Sequence, residues 1–122
     1  MHFITREITN FKNRCVWSLN GFAHVCKTEA SMRQWILANF ISGYFTFVAP
    51  ISHTEQAILL VTGILILAAE CLNTAIERVV DDISKEFRSA ARQAKDAGSA
   101  AVAITAISAG IAWLVILYRL YL

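Results

Sequence analysis

The chain predicts an all-α membrane protein: an amphipathic helix lying on the bilayer surface, then three transmembrane helices, in one domain spanning residues 1–122. Three observations lead there. Of 122 residues 57% are hydrophobic and the mean hydropathy is +0.52, above the roughly 45–50% usual for a soluble domain. A soluble fold this short cannot bury so much apolar surface, so lipid is the expected solvent. Three apolar stretches are parted by polar segments, and the basic residues are distributed very unevenly among those segments.

The surface helix is expected at about residues 3–27. Ile4, Ile8, Phe11, Cys15, Leu19, Phe22 and Cys26 recur every three or four positions, within an arc of about 80° on a helix. Arg6, Lys12, Arg14 and Lys27 lie among them, so the apolar face fits the boundary between headgroups and acyl chains.

Spans are expected at about residues 33–49, 55–80 and 98–119. The first is apolar and aromatic, ends at Pro50, and is short of the ~20 residues a crossing needs. The second is apolar over Ala57–Ala69 and carries acids in its second half. The third is entered through Gly98, with the segment 78–97 before it read as a loop. Small residues Ser99, Ala103, Ala106 and Gly110 form one stripe on the third span, suited to close helix contact in lipid. Trp113 and Tyr118 to Tyr121 suit the far membrane interface.

Charge sets the orientation. Arg6, Lys12, Arg14, Lys27 and Arg33 precede or open the first span, and Arg78, Lys85, Arg88, Arg92 and Lys95 separate the second from the third. The loop Ile51–Thr54 holds no basic residue, and Arg119 stands alone at the far end. The positive-inside rule then makes the N-terminus cytoplasmic in a multi-pass membrane protein. No continuous apolar segment with a small-residue cleavage site opens the chain, which argues against a cleaved signal peptide.

Other classes lose ground. A net charge of +2, without a basic stripe interleaved with aromatics, does not suit nucleic acid. Cys15, Cys26 and Cys71 are odd in number and show no CxxC spacing, so free thiols are expected. The glycines nowhere form a GxxxxGK loop, no protein-kinase motif set is present, and His2, His24 and His53 are isolated.

The chemistry concentrates at the end of the second span. Glu70, Asn73, Glu77 and Asp81 fall within about 80° of one another on a helix, with Glu70 about 10 Å deeper than Glu77. Acids at such depth are costly and usually functional. A carboxylate at headgroup level can hold Mg²⁺ together with phosphate oxygens. A deeper one, in a drier setting, suits general-base work on a lipid hydroxyl, and Asn73 can orient either. The alternative is that Glu77 simply pairs with Arg78 or a nearby lysine, and Glu29 with Arg33 as an i,i+4 helix pair. Lys95-Asp96-Ala97-Gly98-Ser99 precedes the third span, where helix N-terminal N–H groups and a lysine would attract phosphate. Asp96 serves equally well there as an N-cap, with Lys95 a snorkelling anchor. Three spans do not enclose a polar cluster from all sides, so a homo-oligomer is expected.

The segment Glu70-Cys71-Leu72-Asn73-Thr74-Ala75-Ile76-Glu77, followed by Val79-Val80-Asp81 and by Ala94-Lys95-Asp96-Ala97-Gly98-Ser99-Ala100-Ala101-Val102, resembles the signature of the small prokaryotic diacylglycerol kinases. Trp17-Ser18-Leu19-Asn20-Gly21 and Thr28-Glu29-Ala30-Ser31-Met32-Arg33-Gln34 are similar to its N-terminal motifs, and the ending GSAAV is nearer the Gram-negative type.

The resemblance implies ATP-dependent phosphorylation of diacylglycerol to phosphatidic acid by a homotrimer of the bacterial inner membrane with composite sites between subunits. It makes Glu70 the catalytic base and Glu29 and Glu77 the Mg²⁺ ligands. It places Asn10, Trp17, Glu29, Asn73, Glu77, Glu86, Arg88, Lys95 and Asp96 at ATP. It places Arg14, Trp17, Ser18, Leu19, Ser31, Trp35, Glu70, Ser99 and Trp113 at the lipid. Asn10 stands where the family usually carries arginine, and Lys12 or Arg14 is expected to supply the missing charge. Two alternatives remain at this stage: an undecaprenol kinase with the same chemistry on a longer alcohol, and a non-enzymatic small membrane protein whose acidic stripe lines an ion path.

Overall fold

The computed structural model describes residues Met1–Leu122 and consists of four helices without strands: α1 His2–Thr28, α2 Ala30–Val48, α3 His53–Ile83 and α4 Ser89–Tyr121. α3 is the central element. It packs against α4 along much of its length and against α2, while α1 meets the others only through its C-terminal end.

The breaks have local causes. Glu29 alone separates α1 from α2, with extended backbone at φ −106° and ψ 117°. Arg33 reaches back from α2 and donates to the carbonyls of Cys26 and Lys27 at 3.0 and 3.1 Å, satisfying acceptors that the end of α1 leaves open. α2 ends where Ala49 turns extended before Pro50, as proline's ring requires of the residue preceding it. α3 opens with a capping box: Glu55 N–H donates to Ser52 Oγ, and Ser52 N–H to the Glu55 carboxylate. Arg119 near the end of α4 clasps both oxygens of Glu55 at 2.8 and 2.9 Å, joining α3 and α4 at the end away from the acid stripe.

Leu59, Gly63, Ile66, Glu70 and Thr74 are buried on α3, one helical stripe covered by α2 and α4. Only 11 of 122 residues are buried, and Phe40, Phe47, Ile64, Leu72, Ile107 and Leu114 stand open. Such a surface is stable only against lipid or further protein. Two helices, α3 and α4, are long and apolar enough to cross a membrane. α2 has 19 residues, about 28 Å, and carries Arg33, Gln34, Asn39, Ser42 and Thr46, which dilute its apolar character.

The third apolar segment does not start where its composition suggests. α4 begins at Ser89, nine residues before Gly98, and only Ser84–Arg88 links it to α3. The run Ser-Ala-Ala-Arg-Gln-Ala-Lys-Asp-Ala is rich in strong helix formers, so the helix extends well ahead of the apolar segment. Gly98 is therefore an interior packing residue, against which α3 lies so closely that a Cβ would sit 2.5 Å from Asn73 Oδ1. The stripe of small residues packs little within the chain: Ser99, Ala103 and Gly110 are exposed and Ala106 half-buried, while α4 meets α3 through Gly98 and Val102.

Candidate functional site

The acid stripe of α3 runs along the seam where α2 and α4 meet it. Glu70 is the deepest member, 4% exposed, with no cation paired to it. Its Oε1 accepts a hydrogen bond from Ser31 Oγ in the first turn of α2. One turn on, Asn73 Nδ2 donates to Glu77 Oε1 at 3.4 Å, and Asn73 Oδ1 is buried against Gly98 with no donor. Glu77 pairs with neither Arg78 nor a lysine, which removes the simple boundary ion pair as its explanation.

Arg78 instead crosses to the α1–α2 junction. It donates to Glu29 Oε1 at 2.6 Å and to Thr28 Oγ1 at 3.0 Å, and its other terminal nitrogen lies 3.5 Å from His24 Nε2. Glu29 is thus held by Arg78 rather than by Arg33, whose guanidinium caps α1. That bond to Arg78, with smaller help from Thr28 and Arg33, keeps the Glu29 carboxyl below its usual value near 4.5 despite some desolvation. Thr28 and Arg78 both bind Oε1 of Glu29, and Asn73 binds Oε1 of Glu77, so each acid retains a free second oxygen. No group of three His, Cys, Asp or Glu side chains gathers on the chain to form a complete metal cage.

Toward the polar end of the stripe, Lys95 of α4 meets Asp81 at 2.5 Å. Together with Lys85, Glu86, Arg88 and Arg92 they line a cleft of about 230 Å³ around the α3–α4 connection. Arg88 donates to the carbonyls of Val80 and Ser84 at 3.4 and 3.5 Å, and its Nε is buried without a partner. Asp96 lies outside the cleft lining and pairs with Arg92 at 3.3 Å. Because α4 already runs through 95–99, those residues offer no free N–H groups. Any anion attraction there rests on side-chain charge, and Asp96 is not an N-cap.

The chain therefore assembles Glu29, Ser31, Glu70, Asn73 and Glu77 around one stretch of α3, and Glu86, Arg88 and Lys95 around the adjoining cleft. Other predicted contacts stand apart. Trp17 and Leu19 are 67% and 70% exposed on α1, and Arg14 forms no ion pair. Asn10 makes no side-chain hydrogen bond, and Ser99 is exposed. Ser18 donates to the Arg14 carbonyl and lines a separate cleft beside Cys71, Thr74 and Arg78. Trp35 and Trp113 line a crevice of about 160 Å³ between α2 and α4, where Trp113 Nε1 donates to Ser42 Oγ at 2.9 Å. The tether role of Arg78 was not foreseen. No signal in the sequence marks it, because Asp81 and Asp82 at i+3 and i+4 offered Arg78 local partners that it does not take.

A helical membrane protein with its polar site at one end of two long apolar helices is the class this arrangement defines. The model of the family "Prokaryotic diacylglycerol kinase" matches residues 16–117. The chain is similar to proteins named diacylglycerol kinase from Pseudomonas aeruginosa, at 38% identity over 86% of this chain and 85% of that one. It is also similar to those from Haemophilus influenzae, at 33% over 89% and 92%, and from Escherichia coli K12, at 33% over 93% of each. The chain belongs to the prokaryotic diacylglycerol kinase family; it is an enzyme, a kinase of the bacterial membrane.

Proposed function

We propose that this kinase transfers the γ-phosphoryl group of ATP to the free hydroxyl of diacylglycerol, giving phosphatidic acid at the cytosolic face of the inner membrane. The observation that carries the reading is Glu70: a buried carboxylate without a cation, hydrogen-bonded to an alcohol, and one and two turns from Asn73 and Glu77. Phosphoryl transfer asks for charge neutralisation and alignment more than for covalent help. Glu70 accepts the proton of the lipid hydroxyl as that oxygen bonds to the γ-phosphorus and ADP departs. Lys95 and Arg88 supply positive charge beside the nucleotide, and Asn73 orients the Glu77 carboxylate.

The donors present fit Mg²⁺. It takes hard oxygen ligands, keeps several waters and substrate phosphates, and needs only one or two protein carboxylates. Glu77 and Glu29 each offer a free oxygen, and Asn73 Nδ2 steadies the Glu77 carboxylate. Bound there, the ion would neutralise phosphate charge. The same reading includes three spans, with α2 as the short third, a cytoplasmic N-terminus, and a homotrimer in which α1 of one subunit completes the site of another. What supports assembly is the exposure of Arg14, Trp17 and Leu19, which find no site on their own chain, and the number three rests on the family resemblance.

The test is a radiolabelled-ATP lipid kinase assay on wild type, Glu70→Gln and Glu77→Gln, with short-chain diacylglycerol and undecaprenol as acceptors. Phosphorylated diacylglycerol from wild type is expected, with loss in both variants and Mg²⁺ dependence weakened mainly in Glu77→Gln. Product from undecaprenol alone would move the reading to a polyprenol kinase, and an active Glu70→Gln would remove the base.

A further inference from the structure

The partner of Glu70 is itself an alcohol. Ser31 Oγ donates to Oε1, one of the two oxygens of the carboxylate that the proposed reaction uses as its base. A serine side chain ends in the same CH₂–OH group as the acceptor glycerol, so the chain presents to its base a copy of the functional group it acts on. Ser31 lies in the first turn of α2, two residues from Glu29, and is half-buried. Glu70 is closed from solvent, and no other side chain donates to it.

We propose that Ser31 is a positioning residue that occupies Glu70 in the absence of lipid, so that water does not take the acceptor's place and ATP is not hydrolysed. This rests on Glu70 being the base. A kinase with an unoccupied base beside a γ-phosphate is also an ATP hydrolase. A water oxygen would bond to the γ-phosphorus, its proton would pass to Glu70, and ADP would leave with inorganic phosphate as the second product. Water is small and abundant, so steric selection alone discriminates poorly against it. A hydroxyl tethered to α2 disfavours that route, because a water that displaces it from Oε1 gains only the equal of the bond it breaks and has no further contact to drive the exchange. An incoming lipid hydroxyl breaks the same bond, but does so with the binding energy of its apolar chains behind it. Ser31 thereby sets the ratio of productive transfer to wasted ATP.

The experiment measures ADP release by the full-length protein in mixed micelles, with and without short-chain diacylglycerol, for wild type, Ser31→Ala and Ser31→Thr. Lipid-independent release itself, and with it the ratio to lipid-dependent release, should rise about 10- to 150-fold in Ser31→Ala, the range for losing a hydrogen bond to a charged group. Ser31→Thr, which keeps the hydroxyl, should reverse most of that rise. A ratio raised only by a fall in lipid-dependent release overturns the proposal. A residue that merely supports the fold would lower both rates together and leave the ratio alone, and that result overturns the proposal. An equal rise in Ser31→Thr overturns it as well. Phosphoserine at position 31, sought by mass spectrometry after incubation with ATP, would make Ser31 an acceptor instead of a guard. Absence of any lipid product from wild type would instead sink the functional reading itself, so the two failures are separable.

Discussion

Substituting Gly98 by alanine should separate stability from activity in a way few changes here can. The added Cβ would meet Asn73 Oδ1 at 2.5 Å and Ile76 Cδ1 at 3.4 Å, so something must yield. The nearest atom is the end of a side chain, and the cheapest response is for Asn73 to leave its rotamer, at about 0.5–1.5 kcal/mol. Alanine in place of glycine in a helix interior returns about 0.8–1.0 kcal/mol. The two nearly cancel, so the midpoint of thermal inactivation in detergent should move by no more than about 2–8 °C. Catalysis has no such compensation. Asn73 loses its hold on Glu77, and a hydrogen bond as long as 3.4 Å contributes about 0.5–1.5 kcal/mol, so kcat should fall roughly 2- to 10-fold. A coupled ATP assay and a thermal inactivation curve on one preparation read both. The double variant Gly98→Ala/Asn73→Ala should be no slower than Asn73→Ala alone, because the second change removes what the first displaces. Wild-type kcat in Gly98→Ala would refute the reasoning, as would a collapse in stability.

Two further expectations concern the α1–α2 junction and the surface helix. Arg78→Ala should loosen the end of α1, seen as greater mobility of a spin label at position 19. Because Arg78 depresses the Glu29 carboxyl in the folded protein, its stabilising effect is complete above about pH 4.5 and fades as pH falls through the lower folded value, and Arg78→Ala should abolish that fade. For Arg14, free of any ion pair on its own chain, substitution by alanine should raise the KM for ATP if it stands in for the charge missing at Asn10. An unchanged KM would count against it.

Much of this architecture is visible in the residues, because spacing and charge are local properties. The apolar repeat from Ile4 to Cys26 marks α1 at nearly its full length, and Pro50 marks the α2–α3 turn, while the capping box of Ser52 and Glu55 starts α3 two residues before the expected bound of 55. Period alone brings Glu70, Asn73 and Glu77 together. The start of α4 was lost because a polar segment leading into an apolar span was read as loop, although its alanines favour helix as strongly as the span does. The fate of Glu29 was also unreadable. Arg33 at i+4 competes with Arg78, 49 positions away, and the choice follows from Arg33 being drawn to the open carbonyls of α1. Tertiary contacts between opposite charges leave no period in a sequence.

The exposed part of α1 bears on how such a small chain supports a kinase. His2 to His24 bury no side chain, yet the segment holds Arg14, Trp17 and Leu19, which resemblance to the family assigns to substrates. The helix is anchored at its end by Arg33 and Arg78, and one extended residue links it to α2, so its direction is fixed by few bonds. A helix held in this way can lie along a bilayer surface, present its apolar stripe to lipid and reach across a neighbouring subunit. In the proposed oligomer, the open face of α4 at Ser99, Ala103 and Gly110 would give that neighbour a surface where backbones can approach closely. Completing the site by assembly would also restrict ATP turnover to assembled protein in a membrane, where the alcohol is present.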